Sequence, residues 1–197
     1  EELESLPVRG KDWTNGFFVA PSAIGFPESI EQLKDLVAHA RSNHVKLVPS
    51  GGRTGLSGGA VASQGEVVVS FDRMNQILDF SAKDRIVTCQ PGLITANLQA
   101  FAAEQGLFYP VDFASSGSSQ IGGNVATNAG GIKVIRYGLT RDWVAGMKVV
   151  TGTGALLDCN AGLIKNATGY DFHHLMIGSE GTLGLIGELH MCLAPEP

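Results

Sequence analysis

The 197 residues are 44% hydrophobic and 17% charged, with 26 Gly, which fits a well-cored globular domain and excludes a disordered chain. Fourteen basic against nineteen acidic residues leave a formal charge of −5, so there is no basic field for nucleic acid phosphates. No apolar run approaches the roughly 20 residues of a membrane span, and Cys89, Cys159 and Cys192 are never spaced as CxxC, which argues against a zinc or disulfide framework and fits reduced thiols in the cytoplasm.

The chain opens on Glu1-Glu2-Leu3-Glu4 without Met and closes on Ala194-Pro195-Glu196-Pro197, so both ends read as cut points or linkers of a longer protein, with 1–16 an N-terminal extension. Ile30, Leu33, Leu36, Val37 and Ala40 fall at helical spacing and predict a helix over 27–43, with Pro27 and Glu28 in its first turn. A strand over 45–48, stopped by Pro49, and a β-branched strand over 66–71 follow. Strands over 77–81 and 86–90 flank Lys83-Asp84-Arg85 as a hairpin. Ile94, Leu98, Phe101 and Ala102 mark a second helix, N-capped by Thr95 and closed by Gly106. The stretch 112–131 is too poor in large apolar groups to build core by itself and reads as a long loop. Strands return over 144–150 and 155–158, around Gly152-Thr153-Gly154, and over 183–193. The class is α+β, a small α/β lobe over about 17–75 and a larger mixed-sheet lobe with flanking helices over about 76–197.

Three glycine-rich segments carry the chemistry. In the first, Pro49, Ser50, Gly51, Gly52, Arg53, Thr54, Gly55, Leu56, Ser57 and Gly58 lie between two strands, where the backbone can present successive N–H groups to an anion. Its donors for a diphosphate are amides plus the Ser50, Thr54 and Ser57 hydroxyls, with Arg53 as its one cation. No Lys-Ser or Lys-Thr follows the glycines and no GxGxxG opens a helix, which excludes a Walker A loop and a Rossmann turn. The second segment includes Gly117, Ser118, Ser119, Ile121, Gly122, Gly123, Asn124, Ala126, Thr127 and Asn128. Its small side chains let a flat ring lie against main chain, with Asn124, Thr127 and Asn128 as polar tips. In the third, Glu180 and Gly181 enter a strand on which Ile186 can press on a purine. A surface turn, an Ω-loop and a hairpin corner account for each segment taken alone.

The histidines, His39, His44, His173, His174 and His190, carry no catalytic or metal role in this reading; His173 and His174 are adjacent and so diverge in direction. The cysteines sit in or beside apolar strand segments as inert thiols.

Taken together, Pro49-x-Gly51-Gly52-x-Thr54-Gly55, the run from Ile121 to Gly131, Thr168-Gly169-Tyr170-Asp171 and the run from Ile177 to Gly184 resemble the FAD-binding domain of the vanillyl-alcohol oxidase and p-cresol methylhydroxylase flavoproteins, with the strongest likeness to the D-2-hydroxyacid dehydrogenase and glycolate oxidase flavin-subunit branch. The resemblance runs from about Phe17 to the C-terminus and implies the two-lobed fold of that family. It also implies FAD, with Pro49 to Gly58 on the diphosphate, Pro110, Asp112 and Gly117 to Thr127 along the isoalloxazine, and Glu180 to Ile186 at the adenosine end. Members with covalent flavin carry His or Cys in these loops, whereas here Arg53 and Ser119 occupy the neighbourhood and the cysteines lie elsewhere, so the resemblance implies non-covalent FAD. Relatives bear a further C-terminal domain with the hydroxyacid-binding Arg, the catalytic His and a metal site, none of which has a counterpart here. The resemblance thus implies oxidation of a small D-2-hydroxy acid by hydride transfer to flavin N5, with the acceptor unspecified and this chain alone inactive. The same fold with another substrate, and a nucleotide-binding module without redox chemistry, are the competing readings.

Overall fold

The computed structural model describes residues 2–14, 16–160, 163 and 165–196. The chain begins with helix α1 (Glu2–Arg9), so part of the predicted extension is helical. Strands β1 (Ala23–Gly25), β3 (Val67–Ser70) and β2 (Leu47–Ser50) form a parallel sheet in that order. Pro49 does not stop β2 but lies inside it, paired in register with Val69; β2 is an edge strand, where a residue without an N–H is tolerated.

Helix α2 (Ile30–Ser42) covers this sheet with Leu33, Val37 and Ala40 buried. It starts later than predicted because Ser29 is extended and its hydroxyl accepts from Gln32 N at 3.2 Å, which leaves Pro27 and Glu28 outside the helix. Leu33 and Val37 share one apolar cluster with Val69 of β3 and with Val150 and Leu185 of the larger sheet, so α2 is a common wall between the two sheets.

The larger sheet is antiparallel throughout, in the order β4 (Ile77–Ser81), β5 (Ile86–Cys89), β9 (Gly184–Cys192), β7 (Val144–Thr151), β8 (Leu156–Cys159). The 82–85 turn joins β4 to β5 as predicted, with Arg85 at φ 56°. Between β5 and β7 lie α3 (Thr95–Glu104), the short strand β6 (Leu107–Phe108), α4 (Ile121–Ala126), α5 (Val134–Tyr137) and a 3-10 turn; α6 (Phe172–Met176) precedes β9, and β10 (Ala194–Pro195) pairs with β6.

Two further expectations fail in this larger lobe. Thr95 is the first residue of α3 and not its cap: its hydroxyl donates toward Ser119 O at 3.1 Å and accepts from Asn124 Nδ2 at 2.7 Å, inside the protein. The stretch 112–131 does build core, because Ile121 and Val125, four residues apart on α4, are fully buried in the main cluster. Glycine makes this possible: a β-carbon on Gly122 would sit 2.5 Å from Pro91 Cβ.

Candidate functional site

The end of β2 with its following loop, the α4 segment and the turn into β9 meet around one cavity of about 320 Å³, within the range of small-molecule sites. Pro49, Gly51, Gly52, Arg53, Thr54, Gly55 and Ser57 line it from the first segment, Gly122, Gly123, Asn124, Ala126 and Thr127 from the second, and Glu180, Gly181 and Ile186 from the third. Thr54 and Asn124 therefore open onto the same space. Gly52 brings the first two walls together, since a β-carbon there would lie 2.2 Å from Ser118 O; at Gly123, on the cavity side, a β-carbon would meet nothing within 4 Å.

Other predicted residues support this wall from behind. Ser50 is fully buried, outside the cavity lining, and its hydroxyl donates to Arg9 O at 3.1 Å. Ile121 belongs to the core, and Asn128, at φ 48°, accepts from Arg141 N at 3.1 Å. Gly58, at φ 81°, gives its N–H to Asp12. Leu56 points to solvent, Gly117 and Ser118 are exposed, Pro110 is buried, and Asp112 pairs with Lys133 at 3.2 Å; none of these lines the cavity. The polar tips are partly committed to the scaffold: the Asn124 amide donates to Thr95, and the Thr127 hydroxyl to Gly123 O at 2.9 Å. The cavity accordingly offers main chain more than side chain to whatever it holds.

Residues that the motifs did not single out complete the site. Asp12 is almost wholly buried at the cavity wall, where its carboxylate accepts from Gly58 N at 2.9 Å and from Thr14 N at 2.9 Å. With Trp13 N donating to Gly55 O at 3.0 Å, the segment around Asp12 clasps the first glycine loop. The one local signal was Asp12-Trp13-Thr14, an acid two residues before a hydroxyl, the pattern of an Asx-type turn. Phe71, Pro91, Phe113, Met176 and Leu185 add an apolar side. Arg53 is the cation on the wall among the described residues, against the carboxylates Asp12 and Glu180. Asp72 stands behind the wall; burial opposes its charge, but Arg53, Ser70, Arg9 and Gln120 together hold its carboxyl below the usual carboxylate range.

The histidines do not line this cavity among the described residues. His173 and His174 do not diverge as expected: their rings lie 4.3 Å apart. With Asp171 they form a group whose side-chain ligand atoms lie within 4.8 Å of one another. Asp171 caps α6 by accepting from His174 N at 3.3 Å and also meets His173 Nδ1, while burial lowers the His173 pKa against the pull of Asp171. His190, half-buried on β9, accepts from or donates to Thr88 at 3.1 Å, and partial burial likewise lowers its pKa. Burial raises the Cys89 thiol to about 12 and also raises Cys159 and Cys192.

A ring or chain laid against bare backbone, with an anion met by amides, is what this wall accommodates, and the open face of Gly123 is where it has room. Residues 21–160 match the model of the FAD binding domain family, and the chain belongs to that family. Its curated relatives include proteins named D-2-hydroxyglutarate dehydrogenase from Stutzerimonas stutzeri, 65% identical over the whole of this chain, and from Xanthomonas citri pv. viticola, 57% identical. The chain spans 42% of the length of each. Among solved structures, alkyldihydroxyacetonephosphate synthase superposes with a TM-score of 0.79 at 30% identity, over 90% of this chain and 35% of that one. The architecture is thus the two-lobed FAD-binding fold of the p-cresol methylhydroxylase type. Among the described residues no helix is long and apolar enough to cross a membrane.

Proposed function

We propose that this chain is the cofactor-holding part of an oxidoreductase that oxidises a small D-2-hydroxy acid, of the lactate, 2-hydroxyglutarate or glycolate type, and that it holds FAD non-covalently. The observation that carries the reading is the convergence of three glycine-rich segments, separated in sequence, on one cavity with an apolar side. When bound, FAD supplies the acceptor for the hydride that leaves the substrate's α-carbon, at flavin N5.

The chain's own residues bind, orient and exclude water. Main-chain amides of 51–55 and 57, with the Thr54 and Ser57 hydroxyls, take the diphosphate; Gly122, Gly123, Asn124 and Ala126 lie along the ring system; Glu180, Gly181 and Ile186 close the adenosine end. Phe113, Met176 and Leu185 keep water from the buried side. Non-covalent attachment is supported by a wall that offers neither His nor Cys among the described residues. Among the described residues the same wall holds no general base other than carboxylates, which supports a substrate clamp and proton acceptor in the part of the relatives that this chain does not span. The three free thiols suit a reducing compartment, and we place the protein in the cytoplasm.

The test is anaerobic titration of the full-length, FAD-loaded protein with D-lactate, D-2-hydroxyglutarate and glycolate. Bleaching of the visible flavin band by at least one of them, with no bleaching by an L-acid, is the expected result. A yellow protein bleached by none of them contradicts the substrate class, and a protein that takes up no FAD contradicts the cofactor reading.

A further inference from the structure

One carboxylate joins the walls of the cavity without lining it. Asp72 follows β3; its Oδ2 accepts from Arg9 Nε at 3.1 Å, its Oδ1 accepts from Gln120 Nε2 at 3.0 Å, and the same Oδ1 lies 3.5 Å from Arg53 Nη1. These partners come from the end of α1, from the loop after β2 and from the residue before α4, and both Arg53 and Gln120 line the cavity. Arg53 is held twice, since its Nη1 also donates to Gly51 O at 3.0 Å, and it needs holding: its φ of 58° is uncommon for a residue with a side chain.

Gln120 shows how strongly Asp72 dictates the arrangement. Its side chain is buried at 4% exposure, and with its NH₂ on Asp72 its Oε1 is left buried without a hydrogen-bond partner among the described residues. That oxygen faces Gly51, 3.3 Å from where a β-carbon would stand. Turning the amide over would set its oxygen against the carboxylate, so Asp72 decides which end of Gln120 faces the glycine loop.

We propose that Asp72 is a positioning residue of the cofactor cavity: by gathering Arg53 and Gln120 on one oxygen it sets the spacing of the glycine loop against the start of α4 and keeps Arg53 in one orientation at the wall. The proposal rests on the reading that the cavity holds FAD. It has a second consequence. Arg53 is already paired before FAD arrives, so binding to the wild-type protein depends weakly on salt; without the Asp72 charge Arg53 is left to the diphosphate and the dependence steepens.

The experiment titrates FAD into the full-length, flavin-stripped protein by flavin fluorescence, at low and high NaCl, for the wild type, Asp72→Asn, Gln120→Leu and the double variant. Each single change weakens binding by about tenfold, the double variant binds no more weakly than the weaker single, and only variants lacking the Asp72 charge lose affinity steeply with salt. Binding by Asp72→Asn within about twofold of wild type, losses that add in the double variant, or an unchanged salt dependence overturns the proposal. Should Asp72→Asn fail to fold by far-UV circular dichroism, Gln120→Leu decides alone: a tenfold loss supports the role and unchanged affinity overturns it. A wild-type protein that takes up no FAD contradicts the cavity reading and leaves the contacts of Asp72 outside its failure.

Discussion

Along β7 and β9 side chains hold the molecule together, whereas around the cavity they withdraw and leave the work to main chain. In the sheet, Met147, Val149, Leu189 and Met191 are fully buried, and Leu189 faces Met147 on one side and Cys89 on the other. At the cavity, two glycines decide the shape in opposite ways: at Gly52 an added carbon would collide with Ser118 O, while at Gly123 it would enter open space. The polar side chains nearby, Ser50, Asn124, Thr127 and Asp12, make hydrogen bonds to their own scaffold. The difference teaches that stability and ligand binding can be perturbed separately at positions such as Leu189 and Gly123, although Val149, Leu185 and Ile186 serve both sheet and cavity.

Three measurements probe that separation. The largest expected effect is on the sheet: Leu189→Ala removes a fully buried side chain and should cost about 2–5 kcal/mol in chemical denaturation, with FAD affinity of the folded protein unchanged. A large loss of affinity in molecules that remain folded would show that sheet and cavity are not separable.

A smaller effect concerns acid. Burial lowers the pKa of His190 and of His173 below the ordinary 6.5, more than Glu188 and Asp171 respectively raise them. The unfolded chain therefore takes up these protons first, so stability is complete above about pH 6.5 and falls as pH drops toward the folded-state values. His190→Gln should make the decline between about pH 7 and pH 5 shallower in urea denaturation at the two pH values. An identical slope would mean that His190 titrates as freely in the fold as outside it.

How much of this was legible in the sequence depended on distance along the chain. Helix α2, the β4–β5 hairpin and the β7–β8 hairpin were plain because periodicity and turn residues are local signals. Boundaries went astray where one residue outvoted the pattern, as Ser29 did by capping α2 after Pro27. Helix α4 was hidden because glycine dilutes its composition, although Ile121 and Val125 already stood at helical spacing. The glycine-rich character of the site was readable, since a missing β-carbon is visible in a sequence. The supports of Asp12, Asp72 and Gln120 were not, because each reaches partners more than forty residues away, which no local pattern records.

In the proposed function, FAD lies against the bare backbone of α4. Gly123→Leu probes that placement, since Gly123 lines the cavity and an added β-carbon would meet nothing within 4 Å. FAD titration and thermal denaturation of the flavin-free, full-length protein should show affinity reduced by at least about tenfold with the melting temperature of the flavin-free form unchanged or slightly raised, glycine being a poor helix former. Wild-type affinity in a folded Gly123→Leu protein would place the cofactor elsewhere and contradict the account.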